Sequence, residues 1–219
     1  MRYQDQHFRN REQAILDAAL QLFQQQPWDR VTIAEVAIAA GIGKGTVYKH
    51  VPSKEALYAA LVLAFNQRCL LNYQQLYRST PAQLAMRTVI RQGFSDFHAD
   101  PVMAQLCMHC DRPDFQERLD ADYQQQFHAL EEQFRALFAQ LLDATLAPQR
   151  LAPQHNEQLL LAVESCFTGV IARIATGGFS HWNLAVEMNS YYEQITDFII
   201  VGLRGQATQL LSLPAERTL

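Results

Sequence analysis

All three lysines of this 219-residue chain, Lys44, Lys49 and Lys54, fall within one window of eleven residues. Around the first two runs Gly43-Lys44-Gly45-Thr46-Val47-Tyr48-Lys49-His50. The residue types suit the reading of a nucleic-acid duplex. Gly43 and Gly45 let the backbone come close, Thr46 can touch a base edge or a thymine methyl, and Tyr48, Lys49 and His50 reach the backbone or groove floor. Lys44 and Lys54 stand near helix N-termini, where free N–H groups and the helix dipole already favour phosphate, and Thr32 can offer its hydroxyl to phosphate while capping a helix. A phosphate-cradling enzyme loop fits less well. Lys44 is followed by Gly45 rather than Ser or Thr, Ile38 stands where the first glycine of that loop belongs, and no strand precedes it. The dinucleotide-binding glycine spacing is missed as well.

These residues need helices to hold them. Ile15, Ala18, Ala19, Leu22 and Phe23 recur on one helical face that Pro27 closes. Thr32 followed by Glu35 is a capping box opening a second helix that runs to Ala40, and Gly41 supplies the turn. A short third helix covers roughly Lys44 to His50. Pro52 ends it, Ser53 caps the next helix, and Leu57, Ala60, Leu61, Ala64 and Phe65 mark its inner face. Ala37 is small where two helices cross, Gly41 sits where positive φ is needed, and Val47 points back to lock the second helix, which is the helix-turn-helix arrangement.

The segments Thr32-Ile33-Ala34-Glu35-Val36-Ala37, Ala40-Gly41-Ile42-Gly43-Lys44-Gly45-Thr46-Val47-Tyr48-Lys49-His50 and Ser53-Lys54-Glu55-Ala56-Leu57 resemble the TetR (tetracycline-repressor-like) family over about residues 11 to 58. That resemblance implies phosphate contact at Thr32, Tyr48 and Lys54, groove contact at Thr46 and its neighbours, and a C-terminal region that binds a ligand. Val51 before Pro52 departs from the family's usual Phe, which bears on packing more than on DNA contact.

Composition agrees with a globular, all-helical protein. Hydrophobic residues make up 49% and charged residues 18%. The net charge of −4 is unevenly spread: residues 1 to 55 hold seven Lys/Arg against six Asp/Glu, so the acidic excess lies downstream. The polar start predicts no signal peptide, no later apolar run approaches a membrane span, and a cytoplasmic protein is expected. Cys69, Cys107, Cys110 and Cys166 are expected as reduced thiols.

Breaks at 80–81, 100–101, 111–114, 147–153 and 177–178 divide the remainder into about five more helices, about nine in all. One runs from about Asp114 to Leu146. The expected division is a DNA-binding domain over 1–55 and a ligand-binding and dimerisation domain over 56–219. DNA half-sites recur about one helical turn apart, so pairing on a two-fold axis is expected. Val163, Phe167, Val170 and Ile174 on one helix and Tyr192, Ile195 and Ile199 on the last would form a four-helix bundle between two copies; the same stripes also fit an intramolecular core. Arg91, Phe94, Phe97, His98, Met103, Cys107, Tyr123, Phe127, Phe134 and Arg173 are candidates for an effector pocket, core packing being the alternative for each aromatic. Arg87 and Arg91, one turn apart, can meet an anionic head group or pair with surface acids. Arg173, in an apolar helix with Glu164, needs a partner. Cys107 and Cys110 share a helical face, so metal or redox sensing is the competing signal, with His98 and Asp111 as further ligands.

The expectation is therefore a homodimeric repressor that binds palindromic operator DNA and is released by a small hydrophobic or amphipathic effector, without cofactor, metal or membrane. A helical enzyme is the reading of another class; no paired carboxylates, nucleophile motif or cofactor loop favour it.

Overall fold

The computed structural model describes residues 2–179 and 187–212, and among these every regular element is a helix. There are ten, against the nine expected. They are α1 (Arg2–Phe23), α2 (Ile33–Ala39), α3 (Lys44–His50), α4 (Lys54–Ser79), α5 (Ala82–Ala99), α6 (Pro101–Cys110), α7 (Pro113–Gln116), α8 (Ala121–Leu146), α9 (Pro153–Thr176) and α10 (Met188–Ser212).

The extra helix comes from the segment expected to be continuous from Asp114. Pro113 opens the single turn of α7, and Asp120 then starts a new helix by accepting the Tyr123 amide at 3.0 Å. Gln124 folds back to donate to the carbonyls of Gln116 and Leu119. Helix periodicity continues through such a break, and only the cap reveals it.

The chain forms two compact units. The first comprises Met1–Asn66 with Gln105–His128, the second Gln67–Ala104 with Ala129–Leu219. This differs from a boundary at residue 55. The first turns of α4 belong to the first unit because Ala56, Leu57, Tyr58, Ala59 and Ala60 are buried there. The segment from Gln105 joins it through Phe115, fully buried, and through a hydrogen bond from the Trp28 indole to Gln105 at 2.9 Å.

In the first unit Ile15, Ala18, Ala19 and Phe23 of α1 pack with Val36 and Ala37 of α2 and Val47 of α3, all buried. The second unit is cored by Met86, Ile90 and Phe94 of α5, Leu141 and Leu142 of α8, Val170 and Ile174 of α9, and Tyr192, Ile199 and Leu203 of α10. Gly93 permits the close approach of α5 and α9: a Cβ there would lie 2.7 Å from the Phe167 ring and 3.2 Å from the Tyr73 hydroxyl. Helix α9 is long and apolar enough, by length and composition, to cross a membrane, contrary to the expectation of no such run. Leu159, Val163, Val170, Ile171 and Ile174 of this helix are buried in the second unit, and a core helix meets the same criteria.

Candidate nucleic-acid interface

The α2–α3 geometry follows from local chemistry. Thr32, in extended backbone, accepts the Glu35 amide at 3.2 Å, and the Glu35 carboxylate accepts the Thr32 amide at 2.7 Å and its hydroxyl at 2.8 Å. The backbone bond to Thr32, then the Thr32 hydroxyl and Gln26, hold Glu35 below the usual carboxylate range. Both Thr32 donors are thus engaged within the capping box. The free hydroxyl expected for phosphate is already directed at Glu35.

After α2 the chain turns at Gly41, whose φ of +66° is left-handed, and the Ile42 amide closes onto the Ala37 carbonyl at 3.0 Å. A side chain at Gly41 would meet nothing within 4 Å, so only the backbone conformation demands glycine. Val47 and Val51 are wholly buried, and the smaller residue before Pro52 completes the packing under α3.

This leaves Gly43, Lys44, Gly45, Tyr48 and Lys49 exposed, with Thr46 and His50 half-buried. Packing requires neither glycine of α3: a Cβ at Gly45 would touch nothing, and one at Gly43 only the Thr46 hydroxyl at 3.9 Å. Thr32, Ile33, Ala34, Lys44, Tyr48, Pro52, Ser53 and Lys54 line an open concavity of about 460 Å³ between the start of α2, the face of α3 and the start of α4. Four of the nine residues singled out for DNA share this hollow. Ser53, foreseen only as a cap, lines it too, while accepting the Ala56 amide at 3.0 Å.

The cations are held by neighbours. The Lys44 ammonium lies 5.8 Å over the Tyr48 ring. That of Lys54 donates to the Asp29 carbonyl and lies 5.7 Å over the Tyr58 ring. Behind Lys54 is a cluster that the sequence reading missed. Tyr58 donates to the Trp28 carbonyl at 3.2 Å, the Trp28 ring stands edge-on to Tyr58 at 5.0 Å, and His109 packs 5.0 Å from both Trp28 and Phe115. Burial, aided by Arg112 and Arg118, pushes the His109 imidazole below its ordinary value. The Trp28–Gln105 bond joins residues 77 positions apart, a pairing that no local pattern signals.

The downstream candidates fare differently. Arg91 pairs with Glu193, and Arg87 bonds Glu193 and, at 2.7 Å, Asp197, so α5 meets surface acids of α10. Phe94 is buried, stacked on Phe167 at 4.9 Å and 5.6 Å from Tyr192. Phe97 meets Phe167 at 6.3 Å, His98 meets Tyr192 at 5.6 Å, Phe134 meets Tyr73 at 6.3 Å, and Met103 is buried. Cys107, Tyr123 and Phe127 belong to the first unit, and the other seven pocket candidates to the second. Arg173 donates to the Gly178 carbonyl at 3.4 Å, while Glu164 is exposed. Of the dimer candidates, Val163, Val170, Ile174, Tyr192 and Ile199 are buried in their own unit, and Phe167 and Ile195 are half-buried. Those stripes are intramolecular core, the alternative reading.

The thiols give little support to a redox or metal signal. Burial, with Asp111, pushes Cys110 up to about 12, away from the nucleophilic thiolate. Cys107 contacts the Asn66 side-chain oxygen at 3.9 Å, and the described residues hold no group of three or more His, Cys, Asp or Glu placed to bind a metal ion.

Comparison with known proteins bears on the same region. Residues 15–61 match the family described as bacterial regulatory proteins, tetR family. The regulator EthR of Mycolicibacterium smegmatis is 32% identical over 98 residues, 44% of this chain and 45% of that protein. The chain thus spans about half the length of the curated relatives it matches. Among solved structures, PfmR of Thermus thermophilus superposes with a TM-score of 0.64 at 16% identity, over 85% of this chain and 97% of that one. FadR of Bacillus subtilis, in complex with stearoyl-CoA, does so at 0.62 and 13%, over 87% and 98%. At these identities the likeness is one of fold. Residues 15–61 are thus similar to the N-terminal domain of the tetR family of bacterial regulatory proteins, and over the rest of the chain the likeness is one of fold.

Proposed function

We propose that the protein is a transcriptional repressor that binds duplex DNA through α3 and the hollow beside it. The observation that carries this reading is the convergence of Lys44, Tyr48 and Lys54, from two helices, on one concavity next to an exposed α3 face whose glycines packing does not require. Lys44, Lys49 and Lys54 neutralise phosphates, Tyr48 adds a phenol donor, and Thr46 with the backbone at Gly43 and Gly45 reaches base edges. Thr32 takes part either by exchanging its Glu35 bond for phosphate or solely by fixing the start of α2, and His50 at the end of α3 meets the groove wall.

The repressor acts as a homodimer on a palindromic operator in the cytoplasm. The residues that pair the copies are those left outside the core of α9 and α10. Phe198 and Val201 are 70% and 69% exposed, Leu161 is also exposed, and Gly202 and Gly205 allow close helix approach. A hydrophobic or amphipathic effector binds in the second unit, near Phe94, Phe167 and Tyr192; the Tyr192 and Thr196 hydroxyls are buried without a hydrogen-bond partner. The FadR structure with stearoyl-CoA supports an acylated ligand as the first class to try. Release would pass along α4, which contributes residues to both units, through Lys54 and the Trp28–Tyr58 cluster.

The test is selection of duplexes from a random pool by the full chain, followed by binding at graded salt and by sedimentation. Steeply salt-dependent binding of two copies to a two-fold symmetric site is expected, and Phe198→Arg with Val201→Arg should leave a monomer that binds weakly. Failure to enrich any duplex in dilute buffer would overturn the reading.

A further inference from the structure

Helix α1 begins at Arg2, about three and a half turns before Ile15, the first residue of its buried stripe. These early turns do not serve the core: residues 6 to 11 are exposed. A ring contact ties them to α3. The Phe8 ring lies 4.0 Å from the His50 ring, tilted by 34°, and His50 is the last residue of α3. Phe8 remains 49% exposed, whereas the Nδ1 atom of His50 is buried without a hydrogen-bond partner. The stack is thus made between a residue outside the core and the helix that presents Lys44, Tyr48 and Lys49.

We infer that the start of α1 is a second DNA-binding element, in which Arg9 and Arg11 bind phosphates flanking the groove that α3 enters, and the Phe8–His50 stack holds them there. This rests on the reading of α3 as the DNA-binding helix. Phe8 lies on the stripe of Ile15 and Ala19, and Arg9 and Arg11 stand on either side of it, so one of them borders each edge of the stack. Both are exposed, and neither makes an ion pair among the described residues. Glu12, the described acid next to Arg11, is turned elsewhere. Glu12 is half-buried and close to Tyr123, whose phenol is raised to about 12 by burial and by the charge of Glu12. An anion adjoining α3 would therefore meet two guanidiniums, and the anion continuous with a duplex groove is the sugar–phosphate backbone.

The experiment compares the full chain with Arg9→Gln/Arg11→Gln and with Phe8→Ala on a duplex the wild type binds, by salt titration and hydroxyl-radical footprinting. Glutamine keeps helix propensity, and thermal unfolding checks that each variant is folded. The double variant should flatten the log–log salt dependence by about two per bound copy, about four for the dimer on its site. It should also lose protection of the flanking phosphates while keeping the central protection made by α3. Phe8→Ala, with both arginines present, should lose the same flanking protection, and Phe8→Tyr should restore it. An unchanged salt slope and footprint for the double variant would overturn the inference while leaving the role of α3 intact. Flanking protection that survives in Phe8→Ala would overturn the part given to the stack. Failure of the wild type to bind any duplex is the separate outcome that removes the α3 reading.

Discussion

The two units are built from the same material, helices with an apolar stripe, yet residues singled out by spacing meet opposite fates in them. In the first unit Lys44, Tyr48 and Lys54 stay at the surface and share a hollow. In the second, Phe94, Tyr192, Val163 and Ile199 turn inward and disappear into packing. Short-range rules govern the first case. A capping box, a left-handed glycine and a proline fix where each side chain points within a few residues. In the second, direction is set by which helix lies opposite, which is long-range information.

The contrast is broken most forcefully at Phe94. Phe94→Ala removes a fully buried ring that stacks on Phe167 and should cost about 3–5 kcal/mol, read as a lowered urea midpoint. A cost below about 1 kcal/mol would mean that this cluster is a loosely filled pocket instead of core. In the first unit the expected penalties are smaller and come from the backbone. Gly41→Ala places a side chain in open space but at φ +66°, so about 1–2 kcal/mol should be lost through strain alone.

The cap at Thr32 sharpens the comparison further. Thr32→Ala should cost about 1 kcal/mol in denaturant unfolding, and Thr32→Ser little. The least effect is one of pH. Glu35 is held below its ordinary value when folded, so its contribution is present above that ordinary value and fades as pH falls through the folded one. Glu35→Gln should therefore flatten the acid limb of a stability–pH profile and leave the neutral and alkaline parts parallel to wild type.

The same division explains what could be read from the chain beforehand. The helix-turn-helix was legible because Thr32, Glu35, Gly41, Val47, Pro52 and Ser53 act within their own neighbourhoods, and α3 appears where they place it. The all-helical class followed from periodicity. Three features were hidden. The break at Asp120 preserves the hydrophobic stripe, so α7 merged with α8. The Trp28–Gln105 bond spans two distant segments, so no local pattern shows that the first unit takes in Gln105–His128. On α9 and α10 two apolar faces coexist, one meeting α5 and the other solvent, and periodicity marks both without saying which is inner. Val163 and Ile199 lie on the buried face, and Leu161, Phe198 and Val201 on the exposed one.

A salt titration of duplex binding by wild type and Lys54→Ala, at a pH and temperature where both are folded, tests the central claim most directly. Lys54 rims the hollow outside the apolar core, so losing its bond to the Asp29 carbonyl and its contact with Tyr58 should lower the unfolding midpoint only slightly. The wild-type affinity should fall steeply with salt, and the variant should bind more weakly with a log–log slope shallower by about one per bound copy, about two for the dimer. Equal slopes and affinities for the two proteins would contradict the assignment of this hollow to phosphate.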